Sequence, residues 1–407
     1  MSTVSPFAAL YYNPKIVKDF SKVVCPPYDV INSQQKESFK KSSPYNFCNI
    51  LITDKNKNYR QLSQMFSHWV NQDIMIRDRC ESFYLCQQKF SFDGGEHRRY
   101  GILGLLRMDK PGLIHPHEST FAGPKKDRYQ MLKHFKANLS PIFIITPGKI
   151  QALADSCKTY QRRKPLIEFK DFASIENKLW RISNKEMIER IKRGLAHKKL
   201  FIADGHHRFE VAHRYFKDNK GKYRKLNYVL AYFTDAESGL LVLPTHRIIK
   251  DTSLTKIRQK VGDLFNIVLT DKRKIINRFD NQKSSHDKPP SLGLVINDRF
   301  YFLELKNREL LDKISSKDIP SVYRNLEVYL FHKFVFSKFD KQNISYTHSI
   351  PEAIKSSGKR KASFILKATP LEDVFKVARA GRKMPQKSTY FFPKLLSGLV
   401  VRKFQET

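Results

Sequence analysis

The stretch "LFIADGHHRFEVAHRY", residues 200–215, sets one acid, one glycine, two histidines and an arginine between an apolar run and an amphipathic one. Take residues 200–203 as a strand and the chain from His206 as a helix burying Phe209, Ala212 and Phe216. Asp204 and Gly205 then fall at the strand's C-terminal edge. His206, His207 and Arg208 occupy the first helical turn, where unpaired backbone N–H groups and the positive end of the helix dipole attract phosphate. Gly205 removes the side chain that would hold a phosphate away from those donors. Arg208 can grip phosphate oxygens bidentately, and either histidine can donate hydrogen bonds or carry a proton near neutral pH. Asp204 is placed to bind a magnesium ion or to take a proton from an attacking hydroxyl. Five residues alone favour a plainer reading, in which Asp204 caps the helix and the histidines form a polar surface turn. Zinc is disfavoured, because His206 and His207 are adjacent rather than four apart on one helical face.

A second group of reactive side chains lies in "HPHESTFAGPKKDR". Glu118 is the candidate base for an acceptor hydroxyl, and Lys126 and Arg128 are candidates for neutralising a transferring phosphate. Against this stands a surface loop in which Asp127 caps the following helix and Thr120 makes a local turn. His115 and His117 alternate as strand residues would, but Pro116 argues against a shared metal. In "PPYDV" and "ANLSPIF", Asp29, Asn138 and Ser140 read as loop organisers. Thr245, His246 and Arg247 of "LPTHRIIK" serve either a strand end or a second phosphate or carboxylate contact. Lys387, Ser388 and Thr389 in "GRKMPQKSTYFFPK" either fold back over the site or anchor the tail.

The elements that must position these groups follow from periodicity and turn chemistry. Residues 82–108 alternate around "DGGE", the pattern of a β-hairpin. "DRYQMLKHFKANL" has helical spacing through Tyr129, Leu132 and Phe135, and "SPIFIITPG" reads as a buried strand. "NKEMIERIKRGL" is a helix that Asn184 can cap, leading into the strand "LFIA". "NYVLAYFT" and "LLVLPTHRIIK" are further strands. Beyond residue 250, "SLTKIRQKVGDLF" is helical and "DKRKIINRFDNQKSSHDKPP" is a polar loop. "GLVINDRFYFLEL" is a second hairpin, and "PSVYRNLEVYLFHKFVF" is one long amphipathic helix. These elements predict a mixed α/β fold with a boundary near residue 250, giving parts 1–250 and 251–407.

Bulk composition narrows the partners. The 407 residues carry 75 Lys and Arg against 39 Asp and Glu, a formal charge of +36 that favours polyanions. The cations are spread along the chain rather than blocked, so a small phosphorylated ligand ranks ahead of nucleic acid. No apolar run is long enough to span a bilayer, and the cytoplasm is the expected location. Cys25, Cys48, Cys80, Cys86 and Cys157 are odd in number and lack a CxxC pair, so they read as reduced thiols.

"ADGHHRFEVA" resembles the DGHHR-type motif of the ParB and sulfiredoxin-like superfamily, whose members hold nucleotide phosphates on a strand, a glycine turn and a helix N-terminus. A wider resemblance is to the bacterial family catalogued as domain of unknown function 1015. It is carried by "NPKIVKDFSKVVCPPYDVIN", "SPYNF", "HPHESTFAGPKKDR", "ANLSPIF", "ADGHHR", "LPTHRIIK" and "MPQKSTYFFPKLLSGLV", from about Asn13 to Val400. The resemblance implies a ParB-like core with a large additional C-terminal α/β lobe, a nucleotide (ATP or ADP) and magnesium. Free-serine kinases of the same superfamily carry a similar loop and a catalytic glutamate. The implied activity is therefore nucleotide-linked phosphoryl transfer: a serine kinase or a phosphoserine phosphatase. Asp204, His206, His207 and Glu118 would be catalytic, Gly205, Arg208, Lys126 and Arg128 would bind the nucleotide, and Asp204 would hold the metal. A ParB-like, nucleotide-dependent DNA-binding protein is the alternative, and a metal-dependent hydrolase using His115, His117 and His206 is a third.

Overall fold

A computed structural model describes residues 2–53, 58–110, 112–120, 122–280, 290–307, 321–324 and 326–406. The fold is mixed α/β, and the chain divides into two compact units. Met1–Pro116, Thr120–Leu240 and Pro393–Thr407 make up the first, and His117–Ser119 with Leu241–Phe392 the second. Among the described residues no helix is long and apolar enough to cross a membrane.

Nine described strands of the first unit share one sheet. Its order is Ile114–His115, Leu200–Asp204, Ile142–Thr146, Tyr228–Asp235, Gly95–Arg107, Phe83–Phe92, Glu176–Ile182 and Ile167–Lys170, with Val4–Ser5 added beside Gly95–Arg107. The hairpin Phe83–Phe92/Gly95–Arg107 turns on Asp93 and Gly94, both at positive φ (51° and 72°), as its tight turn requires. Strand Tyr228–Asp235 is buried along nearly its whole length and runs parallel to Ile142–Thr146, so its continuous apolar run fills the centre of the sheet. Close packing also needs Gly101, because a Cβ there would lie 2.1 Å from the Tyr232 ring. Helix Lys185–Leu195 is capped by Asn184, which accepts from the Met187 N–H at 2.9 Å, and buries Met187, Ile191 and Leu195. Those three side chains join Ile142, Ile144, Leu200, Ile202 and Phe233 in the core.

The second unit is built on an antiparallel sheet ordered Phe265–Thr270, Arg299–Leu305, Ser291–Ile296, Lys361–Ile365, His246–Lys250 and Ile344–Thr347. Leu292, Leu294 and Ile296 pack into one core with Ile257, Phe331 and Val377, while Val295 packs into another with Ile275 and Phe279. Strand alternation thus covers the sheet on both faces.

Three sequence expectations change here. The polar segment after Asp271 is not all loop, because Lys272–Asp280 is a helix capped by Asp271, which accepts from Lys274 N–H at 2.8 Å. Its buried stripe is only Ile275 and Phe279, too little to show as a period; residues 281–289 lie outside the described residues. The single long helix is two, Ser321–Arg324 and Glu327–Phe334, because Leu326 is extended (φ −85°, ψ 96°) and buried. Tyr323 and Tyr329 stack across that break at 4.5 Å. "LLVLPTHRIIK" gives two strands in different sheets, Leu241–Leu243 and His246–Lys250, parted where Pro244 can donate no ladder hydrogen bond.

Burial holds the His246 imidazole down to about 3, with His348 and Arg247 adding to the effect, and its Nδ1 accepts from Leu366 N–H at 3.2 Å. Because the folded value lies below the ordinary one, the unfolded chain takes up this proton first as the pH falls. The contribution is complete above about pH 6.5 and is lost progressively towards pH 3, at about 1.4 kcal/mol per pH unit. Denaturant titrations from pH 7 to pH 4 should show His246→Asn, which keeps an acceptor, losing that slope. Parallel stability curves for the two proteins would contradict it.

Candidate functional site

Strand Leu200–Asp204 runs antiparallel to Ile142–Thr146, with a register irregularity between Ile202 and Asp204. Gly205 follows at φ 90°, ψ 27°, a left-handed conformation that favours glycine. The helix His206–Asp218 starts immediately after it with Gly205 at the N-cap and no side-chain cap. Asp204 is therefore not the cap that the plainer sequence reading assigns to it.

Its carboxylate lies between two cations instead. Arg208 Nη2 donates to Asp204 Oδ2 at 2.6 Å, and Lys394 Nζ donates to Oδ1 at 2.5 Å. Arg208 Nη1 also donates to the Pro141 carbonyl. The side chains of Arg208, Asp204 and Lys394 are 13%, 15% and 11% exposed, so the cluster is largely withdrawn from water. A Cβ on Gly205 would stand 3.1 Å from the Arg208 guanidinium carbon, Nε and Nη2. The guanidinium folds back over the glycine, and the space that the sequence reading reserved for a phosphate is shared with Arg208 itself.

Arg208 lines a small pocket of about 60 Å³, together with Arg128, Tyr28, Asn138 and Ser140. Its remaining walls are apolar, among them Met131, Leu132, Leu139, Val211, Ala212 and Val229. Arg128 is buried. Its Nε donates to Asp127 Oδ2 at 2.7 Å, its Nη1 to the Leu51 carbonyl at 3.0 Å, and its guanidinium sits 4.1 Å from the centre of the Tyr28 ring. Burial, reinforced by Asp29, pushes the Tyr28 phenol up to about 12, so at neutral pH it remains a hydrogen-bond donor. Asn138 and Ser140 do organise this region. Asn138 Oδ1 accepts from Leu230 N–H at 3.2 Å and from Arg402, and Ser140 Oγ meets Ser397 Oγ at 2.7 Å.

The other residues singled out in the sequence are dispersed. His206 is buried and His207 half-buried in the first helical turn, and His115 stacks on Phe201 at 5.0 Å. Lys126 is exposed and lines no part of this pocket. Its neighbour Lys125 pairs with Glu210 at 3.2 Å, and Thr120 donates to the same carboxylate at 2.7 Å. Asp127 lies inside the helix Ala122–Phe135 rather than capping it, accepting from Tyr59 as well as Arg128. Glu118 belongs to the second unit and forms a β-bridge with Met384. His117, also there, is buried with Nε2 3.3 Å from Thr389 Oγ1. Among the described residues no three His, Cys, Asp or Glu side chains form a metal-binding group. Asp204, a lone carboxylate with a cation on each oxygen, does not fit a resident magnesium ion.

Lys394 was missed by sequence reasoning. The signal available was one cation in the apolar run "FFPKLLSGLV", which lysine enters only with a partner. Removing it should leave Asp204 half-satisfied. Lys394→Met is expected to lower stability by about 1.5–3 kcal/mol, the usual worth of a hydrogen bond to a charged group. Asp204→Asn should then cost much less in the Lys394→Met background than alone. Urea denaturation of the four proteins measures this coupling, and strict additivity would refute it.

Among solved structures, the chain is similar to a free serine kinase variant in complex with ADP, at 11% identity and a TM-score of 0.38, covering 70% of this chain and 86% of that one. It is similar to C-terminally truncated SbnI from Staphylococcus aureus at 10% identity and a TM-score of 0.40, covering 72% and 85%. A conserved hypothetical protein from Pyrococcus furiosus matches at 13% identity and a TM-score of 0.35, covering 74% and 94%. No curated protein matches the sequence. The family described as "Protein of unknown function (DUF1015)" matches residues 4–329, and with most of its length in that match the chain belongs to the DUF1015 family.

Proposed function

We propose that the pocket beside Gly205 and Arg208 holds a nucleotide by its phosphates, and that the protein is a nucleotide-linked phosphotransferase or phosphohydrolase acting on serine or phosphoserine. The observation that carries this reading is Arg208, fixed over the glycine turn at the wall of a largely apolar pocket. A guanidinium has five N–H donors. The described residues use two of them, towards Asp204 and Pro141, so others remain for phosphate oxygens without breaking the ion pair. Among the described residues, Arg128 and Arg208 line the pocket and no carboxylate does, which favours an anion.

Phosphoryl transfer asks mainly for positioning and charge neutralisation. In this reading Asp204 orients Arg208 and Lys394 rather than acting as base or metal ligand. Serine enters through the family's resemblance to free-serine kinases.

A thermal-shift series with ATP, ADP, AMP, serine and phosphoserine tests the binding step. A nucleotide at one hundred times its Kd should stabilise the native state by about 2.7 kcal/mol. Arg208→Ala is expected to weaken that binding about tenfold or more, and Arg208→Lys to restore little of it, because lysine lacks the planar fork. Assays of phosphate transfer from ATP to serine, and of phosphoserine hydrolysis, should show Arg208→Ala losing turnover. No nucleotide response in the wild type, or unchanged affinity in Arg208→Ala, would sink the proposal.

A further inference from the structure

Among the described residues, four strands end the two large sheets, and three of them are guarded. The nine-stranded sheet ends in Ile114–His115, only two residues long, and in Ile167–Lys170, where Glu168 and Lys170 are exposed charges. The sheet of the second unit ends in Ile344–Thr347, of four residues, and in Phe265–Thr270, of six. The sequence of the last, "FNIVLT", holds no charge and no proline, and its ladder with Arg299–Leu305 runs from Phe265 to Thr270 without a bulge. Shortness, charges, prolines and bulges are the devices that keep a sheet edge from pairing with another chain. Phe265–Thr270 has none of them.

The ladder fixes which backbone groups face outwards. Lys306 N–H donates to the Leu264 carbonyl at 3.0 Å, one step before the Phe265–Leu305 pair. Hydrogen-bonded and non-hydrogen-bonded pairs alternate along an antiparallel ladder. Asn266, Val268 and Thr270 therefore bond to Arg299–Leu305, while Phe265, Ile267 and Leu269 turn their N–H and C=O groups to the open side. Phe265 and Ile267 pack into the core with Phe331, yet Leu269, next along the same face, is 67% exposed. Val268, on the other face opposite Phe302, is 46% exposed. Single exposed apolar side chains are ordinary, but two in succession on an unguarded edge mark a strand that lacks its neighbour.

The geometry points to this edge as a dimer interface, in which Phe265–Thr270 of two copies of the chain pair antiparallel about a two-fold axis at Val268. The strand is complementary to itself in that register. Val268 faces its own copy, Ile267 faces Leu269, and Asn266 faces Thr270, so apolar meets apolar and amide meets hydroxyl. Ile267 and Leu269 are also the residues with outward backbone groups, and they exchange ladder hydrogen bonds on each side of the axis. Just beyond the strand, Asp263 of each copy falls opposite Arg273 of the other, both exposed. An axis at Ile267 would instead set Asp263 against Asp271. Charges farther off are screened beyond about 8 Å at physiological ionic strength, so these local pairs outweigh the repulsion between two basic chains. A two-fold contact closes at two copies, whereas pairing with Ile344–Thr347 of another copy would propagate. The inference does not rest on the phosphotransfer reading.

Sedimentation velocity of the full chain over a wide range of concentration tests it. The wild type should pass from monomer to dimer as concentration rises, and no further. Val268→Lys sets two ammonium groups together at the axis and should weaken the dimer at least tenfold. Leu269→Pro removes an outward N–H, leaves the bonds to Arg299–Leu305 intact, and should do the same. Val268→Cys reads the register, because opposed residues of a non-hydrogen-bonded pair have Cα atoms about 4.5 Å apart, within reach of a disulfide. With glutathione disulfide as oxidant it should form a covalent dimer on a non-reducing gel. The wild type, with its five cysteines, and Thr270→Cys should not. A chain that stays monomeric would leave the edge to an extended segment of another protein, and oligomers that grow past two would assign it to pairing with Ile344–Thr347. Either result overturns the inference, as does a dimer that Val268→Lys leaves unchanged or a Val268→Cys variant that cross-links no faster than Thr270→Cys. Circular dichroism and thermal melts of the variants confirm that they fold.

Discussion

The carboxylate of Asp204, held between Arg208 and Lys394, is the interaction on which the first unit turns. Taking one carboxylate and two cations largely out of water is costly, and the gain returns only when every partner is in place. That condition reaches far along the chain. Arg208 can fold back onto Asp204 only because residue 205 has no side chain, and only because that residue accepts a left-handed backbone. Lys394 can arrive only if the tail is fixed, and it is. Ser397 bridges Cys25, Val401 bridges Leu10, and Arg402 and Lys403 pair with Asn138 and Ala137. The tail is a structural part of the unit.

The same chain uses other cations as internal struts. Arg99 is fully buried, donates to Gln88, and lies 4.8 Å from the centre of the Phe143 ring. Arg402 is buried against the carbonyls of Tyr228 and Lys225, and burial lowers it to about 9. Arg247 donates to the Thr245 carbonyl at 2.6 Å and is lowered by burial to about 10, which still leaves it charged at neutral pH. None of the three takes a carboxylate among the described hydrogen bonds. Carbonyl oxygens and ring faces can take the place of carboxylates because a guanidinium's charge is delocalised and weakly hydrated, although Arg99 Nε and Nη1 find no hydrogen-bond partner among the described residues. A protein with twice as many bases as acids has few carboxylates to spare, and these sites show how it fills its interior without them.

Most of the fold was legible where a local rule decides the outcome. Asp-Gly set the hairpin, and Asn184 ahead of an apolar period set a helix, because turn and cap chemistry involve neighbours in sequence. The strand, glycine and helix around Asp204 were legible for the same reason. The helix Lys272–Asp280 was not, since two buried side chains make no visible stripe; the break at Leu326 was not, since the apolar period runs through it. Lys394 was hidden for a different reason. Its partner is 190 residues away, and no periodicity encodes a pairing of that range. The cap expected at Asp204 failed with it, because the carboxylate is drawn to Arg208 and Lys394 instead.

Positive charge is thus used in two physically distinct ways. Around Asp204 it is fixed, mostly buried and held by partners of set geometry, so it acts at short range and recognises shape as well as sign. At residues such as Lys256 and Lys355 it is exposed and acts chiefly through its sign. A Debye length of about 8 Å at physiological ionic strength screens the second kind strongly and the first kind little. Salt is therefore the variable that separates them. An anion held by the guanidinium over the glycine would survive high salt, and one held by exposed lysines would be lost with it. The formal charge of +36 on its own distinguishes neither, which is why composition could suggest a polyanionic partner without locating one.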